Sequence, residues 1–272
     1  MRVVGIMLVH NEDVFVGEAI RNAATFCDRF HVADHMSTDG TWDVVRELAR
    51  ELDHVEAVRV RRTGDSHALV EAYAGTDTWV FGVDGDELYD PAGLARFREQ
   101  LLDGAYRGYF SVKSNVLNCV EIDRRRKLAA GYLSPPSRSI TKLFNFAAID
   151  SWTRVYRQYM HDGEIAFRPG HDREKIVHLG ERFGWDESPL RCLHVCFVRR
   201  SSLDPADRAG SGRLSPIELG GKRRSRLVGL SRVVHRLRPS VPFDSDWKAE
   251  KYRRGDLVTK DASPFLPEEG KA

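Results

Sequence analysis

"WVFGVDGDELYD" (79–90) joins an apolar stretch of β-branched and aromatic residues directly to a group of carboxylates, and a proline follows it. Such an apolar stretch is typical of a buried strand. Carboxylates crowded at the end of a buried strand repel one another unless a positive charge lies among them. The stretch therefore predicts a strand whose carboxyl end binds a cation.

The first hundred residues alternate strand and helix patterns around this stretch. We predict strands at 2–9, 29–33, 55–60 and 78–83, and helices at 14–26, 41–52, 66–75 and 91–102. Strands separated by helices imply right-handed crossovers and a parallel sheet with helices on both faces. The predicted fold class is α/β: one Rossmann-like domain with a mostly parallel central sheet, and a mixed sheet with extra helices in the C-terminal half.

Composition narrows the functional classes. The chain has 272 residues, with Lys+Arg 42 and Asp+Glu 40, so its formal net charge of +2 gives no global argument for a nucleic-acid partner. It lacks an apolar stretch of about 18 residues, and its N-terminal apolar run is too short for a signal peptide, so we expect a cytoplasmic protein. Four cysteines are too few for a disulfide framework and are predicted to be reduced.

The segments that follow the four strands are polar and charged. They are 10–13, 34–41, 61–65 and 84–87. Because ligands of open α/β sheets bind at the carboxyl ends of the strands, these segments are expected to converge on one crevice. Neither GxGxxG nor GxxxxGK[ST] follows the first strand, which removes the main support for dehydrogenase and P-loop functions. A crevice that handles phosphate through a metal remains.

Asp84 and Asp86 are the predicted centre of that crevice. In an extended chain they project to the same side, and Gly85 between them lets a ligand approach the backbone. Two oxygen donors suit Mg²⁺ or Mn²⁺. The alternative is a strand-to-helix turn in which Asp86 or Asp90 caps the helix that begins at Pro91, and we favour Asp90 for that role.

Three segments together resemble the family 2 glycosyltransferases and their relatives with the A-type glycosyltransferase fold. They are "LVHNED" (8–13), "DHMSTDGTWDVV" (34–45) and "VDGDE" (83–87). In that family the first strand ends in Asn-Glu, the second in an Asp followed by Ser-x-Asp-Gly-Thr, and the fourth in Asp-x-Asp. The chain departs from the common pattern at Leu8, His10 and His35, where Pro, Tyr and Asp are frequent.

The resemblance implies a nucleoside diphosphate sugar as donor, with a UDP-sugar favoured, and residue roles at this site. It places His10, Asn11 and Glu12 beside the base and ribose. It places Asp34 on the base or ribose, Asp84 on the ribose and the metal, and Asp86 on the metal. After the third strand, Arg62 is a candidate for a phosphate or base contact, with a solvated loop as the alternative.

The second half is predicted to form the acceptor side. The pattern at 106–118 is strand-like, 121–137 reads as a surface loop, and hairpin-like spacing beyond it predicts that the sheet leaves its parallel pattern. His194 lies in an apolar strand-like segment and is either a third metal ligand or a hydrogen-bonded core histidine. Cys192 and Cys196 flank it, but a zinc site there lacks a fourth ligand.

A general base must reach the acceptor hydroxyl if the transfer proceeds with inversion, as the resemblance implies. Asp162 is the first candidate because His161 and Asp162 resemble a His-acid pair found in some members of that family, and Asp186 in "GWDESP" is the second. Either carboxylate has a plain surface role as its alternative.

The segment 220–240 is basic and amphipathic, with cations between 222 and 238. It is predicted to be a helix packed on the domain, a basic lid over the diphosphate, or a membrane-surface contact, in that order of preference. We divide the chain into a nucleotide-sugar-binding half (1–118), an acceptor-side half of the same domain (119–215) and a basic helical extension with an arm (216–272).

The predicted function is metal-dependent transfer of a sugar from a nucleoside diphosphate to an unknown hydroxyl acceptor, with Mn²⁺ or Mg²⁺ as cofactor. A nucleotidyltransferase is the enzymatic alternative because it needs the same carboxylates and metal. A non-catalytic nucleotide-sugar-binding protein is the other alternative.

Overall fold

A computed structural model describes residues 1–153, 163–203 and 250–266. The described residues form strands β1 Arg2–Val9, β2 Arg29–Asp34, β3 Val55–Arg59, β4 Thr78–Asp84, β5 Glu87–Tyr89, β6 Ser111–Lys113, β7 Asn115–Asp123, β8 Leu128–Ser134, β9 Thr141–Asn145, β10 Ile149–Thr153, β11 Glu164–Phe167, β12 Ile176–His178, β13 Arg191–His194 and β14 Leu257–Asp261. They also form helices α1 Val16–Ala24, α2 Thr41–Glu51, α3 Ala68–Glu71, α4 Pro91–Leu102 and α5 Leu179–Arg182, with 3₁₀ turns at Thr63–His67 and Phe146–Ala148.

The central sheet has seven strands in the order β12-β6-β9-β4-β1-β2-β3. β4, β1, β2 and β3 are parallel, as predicted, and β1 is buried on both faces from Val3 onward. In register, Leu8 pairs with Asp84 and Val9 with Asp34, so the ends of three strands meet at one edge. The predicted α/β class is confirmed.

The predicted third helix, 66–75, is shorter than its pattern suggested. A 3₁₀ turn and the four-residue α3 replace it, and the backbone N–H groups of Tyr73, Ala74 and Thr76 bond three residues back. Gly75 then takes a φ of +78°, a conformation that ends helices.

Beyond the predicted strand at 106–118 the chain enters a second sheet. That strand is split at Ser114 into β6 and β7, which lie in different sheets. The second sheet has the order β14-β8-β7-β13-β5. In the central sheet β9 runs antiparallel to both β4 and β6, which confirms that the parallel pattern ends in this half.

The prediction of a surface loop at 121–137 is wrong. β7 and β8 form an antiparallel hairpin there, and the arginine-rich residues 124–127 make only its turn. The hairpin forms because β8 contributes buried positions such as Ala129 and because Gly131 lets the strands approach closely. A Cβ at Gly131 would lie 2.4 Å from the carbonyl oxygen of Asn118.

Asp90 stands at the N-cap position of α4, but its side chain does not cap the helix. Its Oδ2 instead accepts hydrogen bonds from Nε and Nη2 of Arg191, at 3.1 and 3.0 Å. A buried carboxylate gains more from a guanidinium than from exposed helical N–H groups, so the long-range partner prevails over the local one.

All four cysteines are free and buried. No helix among the described residues has the length and apolar character needed to cross a bilayer. The predicted basic helix at 222–238 lies outside the described residues.

Candidate functional site

A cleft of about 900 Å³ opens at the carboxyl ends of β1 and β4, between the two larger sheets. Glu12, Asp84 and Asp86 line it from the central sheet's edge, and His194 lines it from β13. Two of the four segments predicted to converge there, 10–13 and 84–87, therefore line the cleft, whereas no residue of 34–41 or 61–65 does. The cleft also holds cations that the sequence did not assign, among them Lys142 and Arg200.

The two aspartates do not lie on one extended strand. β4 ends at Asp84, residues 85 and 86 form a turn, and β5 begins at Glu87. The Asp84 side chain is 52% exposed and the Asp86 side chain 6% exposed, so the turn separates a rim carboxylate from a buried one. Both nevertheless face the same cleft.

Gly85 makes room for a side chain of the protein rather than for a ligand. A Cβ at this position would lie 2.4 Å from Oε2 of Glu12 and 2.9 Å from Cγ1 of Val9. The Glu12 carboxylate thus lies directly against the backbone between the two aspartates.

Gly85→Ala is expected to destabilise the fold by about 1–3 kcal/mol, because the buried Glu12 and Val9 side chains must move. Chemical unfolding measures the change in the free energy of unfolding. Gly108→Ala is the matched control, since a Cβ at Gly108 meets no atom within 4 Å. Equal stability of the two variants would show that Glu12 moves freely.

Arg200 supplies the positive charge that the buried carboxylates require. Its Nη1 lies 2.5 Å from Oδ2 of Asp86 and 3.1 Å from Oε1 of Glu12, and all three side chains are buried. Burial lowers the pKa of the guanidinium, but Asp86 and Glu12 more than offset this and raise it above its ordinary value. Arg200 is therefore a permanent cation at the strand end.

Lys142 of β9 is the second buried cation. Its Nζ lies 2.6 Å from Oε1 of Glu87 and 3.4 Å from Oδ2 of Asp84. Burial lowers the pKa of Lys142, yet Asp84 and Glu87 raise it above its ordinary value overall. Lys142 therefore stays charged and ties the rim carboxylate of Asp84 to the core.

Asn118 fixes the orientation and tautomer of His194. The amide Nδ2 of Asn118 donates to the carbonyl oxygens of Tyr132 and Arg138 and to Oγ of Ser137, at 3.2–3.5 Å. Its Oδ1 must then accept a hydrogen bond from Nδ1 of His194, at 2.8 Å. Nδ1 carries the proton, so the lone pair of Nε2 faces Oδ2 of Asp86 at 3.8 Å.

Burial lowers the pKa of His194 to about 4, against the attraction of Asp86. The imidazole is therefore neutral at pH 7, which is the form that ligates a metal.

The same shift predicts a pH dependence of stability. The unfolded state protonates His194 near pH 6.5 and the folded state only near 4, so lowering the pH through this window should cost about 3 kcal/mol. Urea unfolding between pH 7 and 4, in EDTA, measures the loss. In His194→Gln the free energy of unfolding should not show this decrease between pH 7 and 4. The same pH dependence in both proteins would contradict a buried neutral imidazole.

The side chains at this site supply only some of the ligands that a divalent ion needs. Within residues 1–153, 163–203 and 250–266, no three His, Cys, Asp or Glu side chains form a group that could hold a metal by themselves. Asp86 and His194 present an oxygen and a lone-pair nitrogen to each other across 3.8 Å, and Asp84 lies at the rim. Mg²⁺ and Mn²⁺ complete such sets with waters and substrate phosphates. The residues present therefore fit a metal that arrives with a diphosphate.

Asn11 and Asp34 hold the strand ends together. Asn11, with a φ of +55°, accepts hydrogen bonds at Oδ1 from the backbone N–H groups of Thr38 and Asp39. Asp34 is completely buried and accepts from the N–H of Ser37 and from Nε of Arg59. Neither side chain lines the cleft.

Two other predicted nucleotide contacts also lie off the cleft wall. Nδ1 of His10 lies 2.6 Å from the carbonyl oxygen of His35, and their rings are 5.5 Å apart. Arg62 is exposed and immediately precedes the first 3₁₀ turn. Of the predicted contacts to base and ribose, Glu12 and Asp84 line the cleft.

Of the two predicted general-base candidates, the structure describes only Asp186. Asp186 is 76% exposed, makes ion pairs with Arg191 and Lys260, and does not line the cleft. Asp162 lies outside the described residues.

Sequence reasoning missed four residues of the site: Lys142, Arg200, Asn118 and Tyr252. Lys142 could have been recognised from the sequence, because a lysine inside the apolar "ITKLFNF" pattern requires a partner when it is buried. Arg200 is one of two consecutive arginines after β13, and nothing in the sequence indicated that its side chain is buried. Tyr252 reaches the cleft from the C-terminal segment, with its ring 5.4 Å from that of His194.

No protein-family model and no curated protein sequence matches the chain. Solved structures similar to it include glycosyltransferases. The structure of Staphylococcus aureus TarS 1–349 in complex with UDP is 14% identical, aligns over 90% of this chain and 77% of that one, and has a TM-score of 0.42. Glucosyl-3-phosphoglycerate synthase from Mycobacterium tuberculosis, with Mn²⁺, UDP and glucosyl-3-phosphoglycerate, is 20% identical over 42% of this chain and 44% of that one, with a TM-score of 0.33.

A third similar structure is 4-diphosphocytidyl-2C-methyl-D-erythritol synthase from Anaerococcus prevotii, 13% identical over 65% of this chain and 86% of that one, with a TM-score of 0.38. At TM-scores of 0.42 and below, we take neither a substrate nor a residue role from these proteins.

Proposed function

We propose that this chain is a metal-dependent glycosyltransferase that uses a nucleoside diphosphate sugar, with a UDP-sugar favoured, and a hydroxyl acceptor. The observation that carries the proposal is the pairing of Asp86 with the lone pair of His194 Nε2 inside the strand-end cleft. A buried carboxylate and an unprotonated imidazole nitrogen that face each other attract a cation. A divalent cation that brings a diphosphate would bind His194 Nε2 and share Oδ2 of Asp86 with Arg200.

In this proposal Asp86 and His194 hold the metal, and Asp84 joins them from the rim. When bound, the metal stabilises the charge that develops on the leaving diphosphate. Arg200 holds the Asp86 carboxylate in place, and Asn118 keeps the His194 lone pair directed at the site. Lys142 restrains Asp84 at the rim.

Glu12 takes the ribose side of the donor, since it lies beside Gly85 and lines the cleft. We assign His10, Asn11 and Asp34 to shaping the strand ends that frame this position, through their bonds to the segment 35–39. Asp162 remains the candidate general base, and inversion rests on the family resemblance alone.

A thermal-shift screen with UDP-, GDP- and dTDP-sugars tests the donor class, with Mn²⁺ and with EDTA. A ligand at about 100 times its Kd should stabilise the fold by about 2.7 kcal/mol. We expect stabilisation by a UDP-sugar only with Mn²⁺, and its loss in His194→Ala. Equal stabilisation in EDTA would contradict metal dependence, and no stabilisation by any of these sugars would contradict the donor class.

Product analysis then separates the alternatives. Release of UDP on addition of acceptor extracts supports glycosyl transfer, release of pyrophosphate from a nucleoside triphosphate supports a nucleotidyltransferase, and binding without turnover supports a non-catalytic protein.

A further inference from the structure

The cleft has a second charged region, formed by side chains from outside the carboxylate edge. Lys113 ends β6, His178 ends β12, and the two are register partners in neighbouring parallel strands. Arg138 follows β8 on the facing wall, and all three line the cleft. Three nitrogen-bearing side chains thus face one volume.

Lys113 and Arg138 lack a carboxylate within ion-pair distance among the described residues, in contrast to Lys142 and Arg200. Glu181 of α5 also lines the cleft, and its Oε1 lies 3.5 Å from Nδ1 of His178. Burial and then the positive charge of Arg138 lower the pKa of Lys113, and Glu181 offsets this only in part. Two cations that repel each other in a half-buried cleft are stabilised by a bound anion.

The position of Arg138 relates this region to the proposed donor site. Its guanidinium carbon lies 5.9 Å from the centre of the Tyr252 ring, and the centre of that ring lies 5.4 Å from the centre of the His194 ring. The Tyr252 ring therefore contacts both Arg138 and the proposed metal ligand.

We propose that Lys113 and Arg138 form a subsite for an anionic group, a phosphate or a carboxylate, carried by the acceptor. This inference rests on the proposed function, because it assigns the donor diphosphate to the Asp86 and His194 end of the cleft. The acceptor is then a hydroxyl compound that also bears a negative charge.

Calorimetric titration of methyl phosphate tests the subsite. It is performed first in EDTA without nucleotide, and then with saturating UDP and Mg²⁺. We expect saturable binding in both conditions, weakened about tenfold or more by Lys113→Gln and by Arg138→Gln. Arg125→Gln is the matched control, because Arg125 is exposed in the β7–β8 turn and does not line the cleft.

UDP titrations of the same variants, with Mg²⁺, show whether the two cations bind an anionic group of the acceptor or the donor diphosphate. A UDP affinity that stays within about threefold of the wild type supports the acceptor assignment. Competition between UDP and methyl phosphate, or an equal loss of UDP affinity in the variants, would assign the cations to the donor diphosphate and overturn the proposal. Absence of saturable methyl phosphate binding to the wild type would also overturn it.

The EDTA arm is independent of the donor. If UDP does not bind the wild type while methyl phosphate still does, the proposed function fails and the anion subsite stands. Circular dichroism and the Tm of each variant confirm that it is folded.

Discussion

Arg200→Met is expected to destabilise the fold by about 3–5 kcal/mol, the cost of removing one partner from a buried ion pair. Arg200 is the guanidinium shared by Asp86 and Glu12, and all three side chains are buried. Methionine fills a similar volume but leaves two carboxylates without that charge. Urea unfolding at pH 7 in EDTA measures the loss.

The exposed Arg125 provides the control for this variant: Arg125→Met should change stability by less than about 0.5 kcal/mol. Saturating Mn²⁺ should recover part of the loss in Arg200→Met, since a metal at Asp86 and His194 restores positive charge beside the carboxylates. A loss below about 1 kcal/mol would mean that another group neutralises them.

Asp86→Asn is expected to reduce the Mn²⁺-dependent affinity for UDP by about 100-fold or more, because it removes the buried carboxylate oxygen that faces His194. The affinity measured in EDTA should be unchanged. Isothermal titration with UDP, at saturating Mn²⁺ and in EDTA, gives both values. Equal affinity of wild type and variant at saturating Mn²⁺ would remove Asp86 from the metal site.

The same substitution also deprives Arg200 of an ionised partner, so the variant should be about 3 kcal/mol less stable as well. Asp84→Asn separates the two effects. The Asp84 side chain is 52% exposed, so its loss should cost less than about 1 kcal/mol of stability while still weakening the metal dependence. The binding data therefore need to be taken at a temperature where each variant is folded.

The first four strands and their parallel direction followed from the sequence because their causes are local. The mostly apolar segments at 2–9 and 78–84 are typical of strands that are buried on both faces, and polar residues follow each segment. For the same reason the strand-end crevice was predictable. The helix at 66–75 was not predictable in this way: a 3₁₀ turn takes up its start, and α3 ends at Glu71, four residues before Gly75.

The sequence also indicated a positive charge at 84–87, since crowded carboxylates repel one another unless a cation lies among them. Only the tertiary structure determines which positively charged side chains lie beside these carboxylates. Arg200 reaches Asp86 across 114 positions of sequence, and Lys142 reaches Asp84 across 58. His194 and Asn118, 76 positions apart, meet because β13 and β7 pair in register. Local pattern fixes burial and strand direction, but ion pairs and tautomers depend on which strands become neighbours, and that is settled only when the whole core packs.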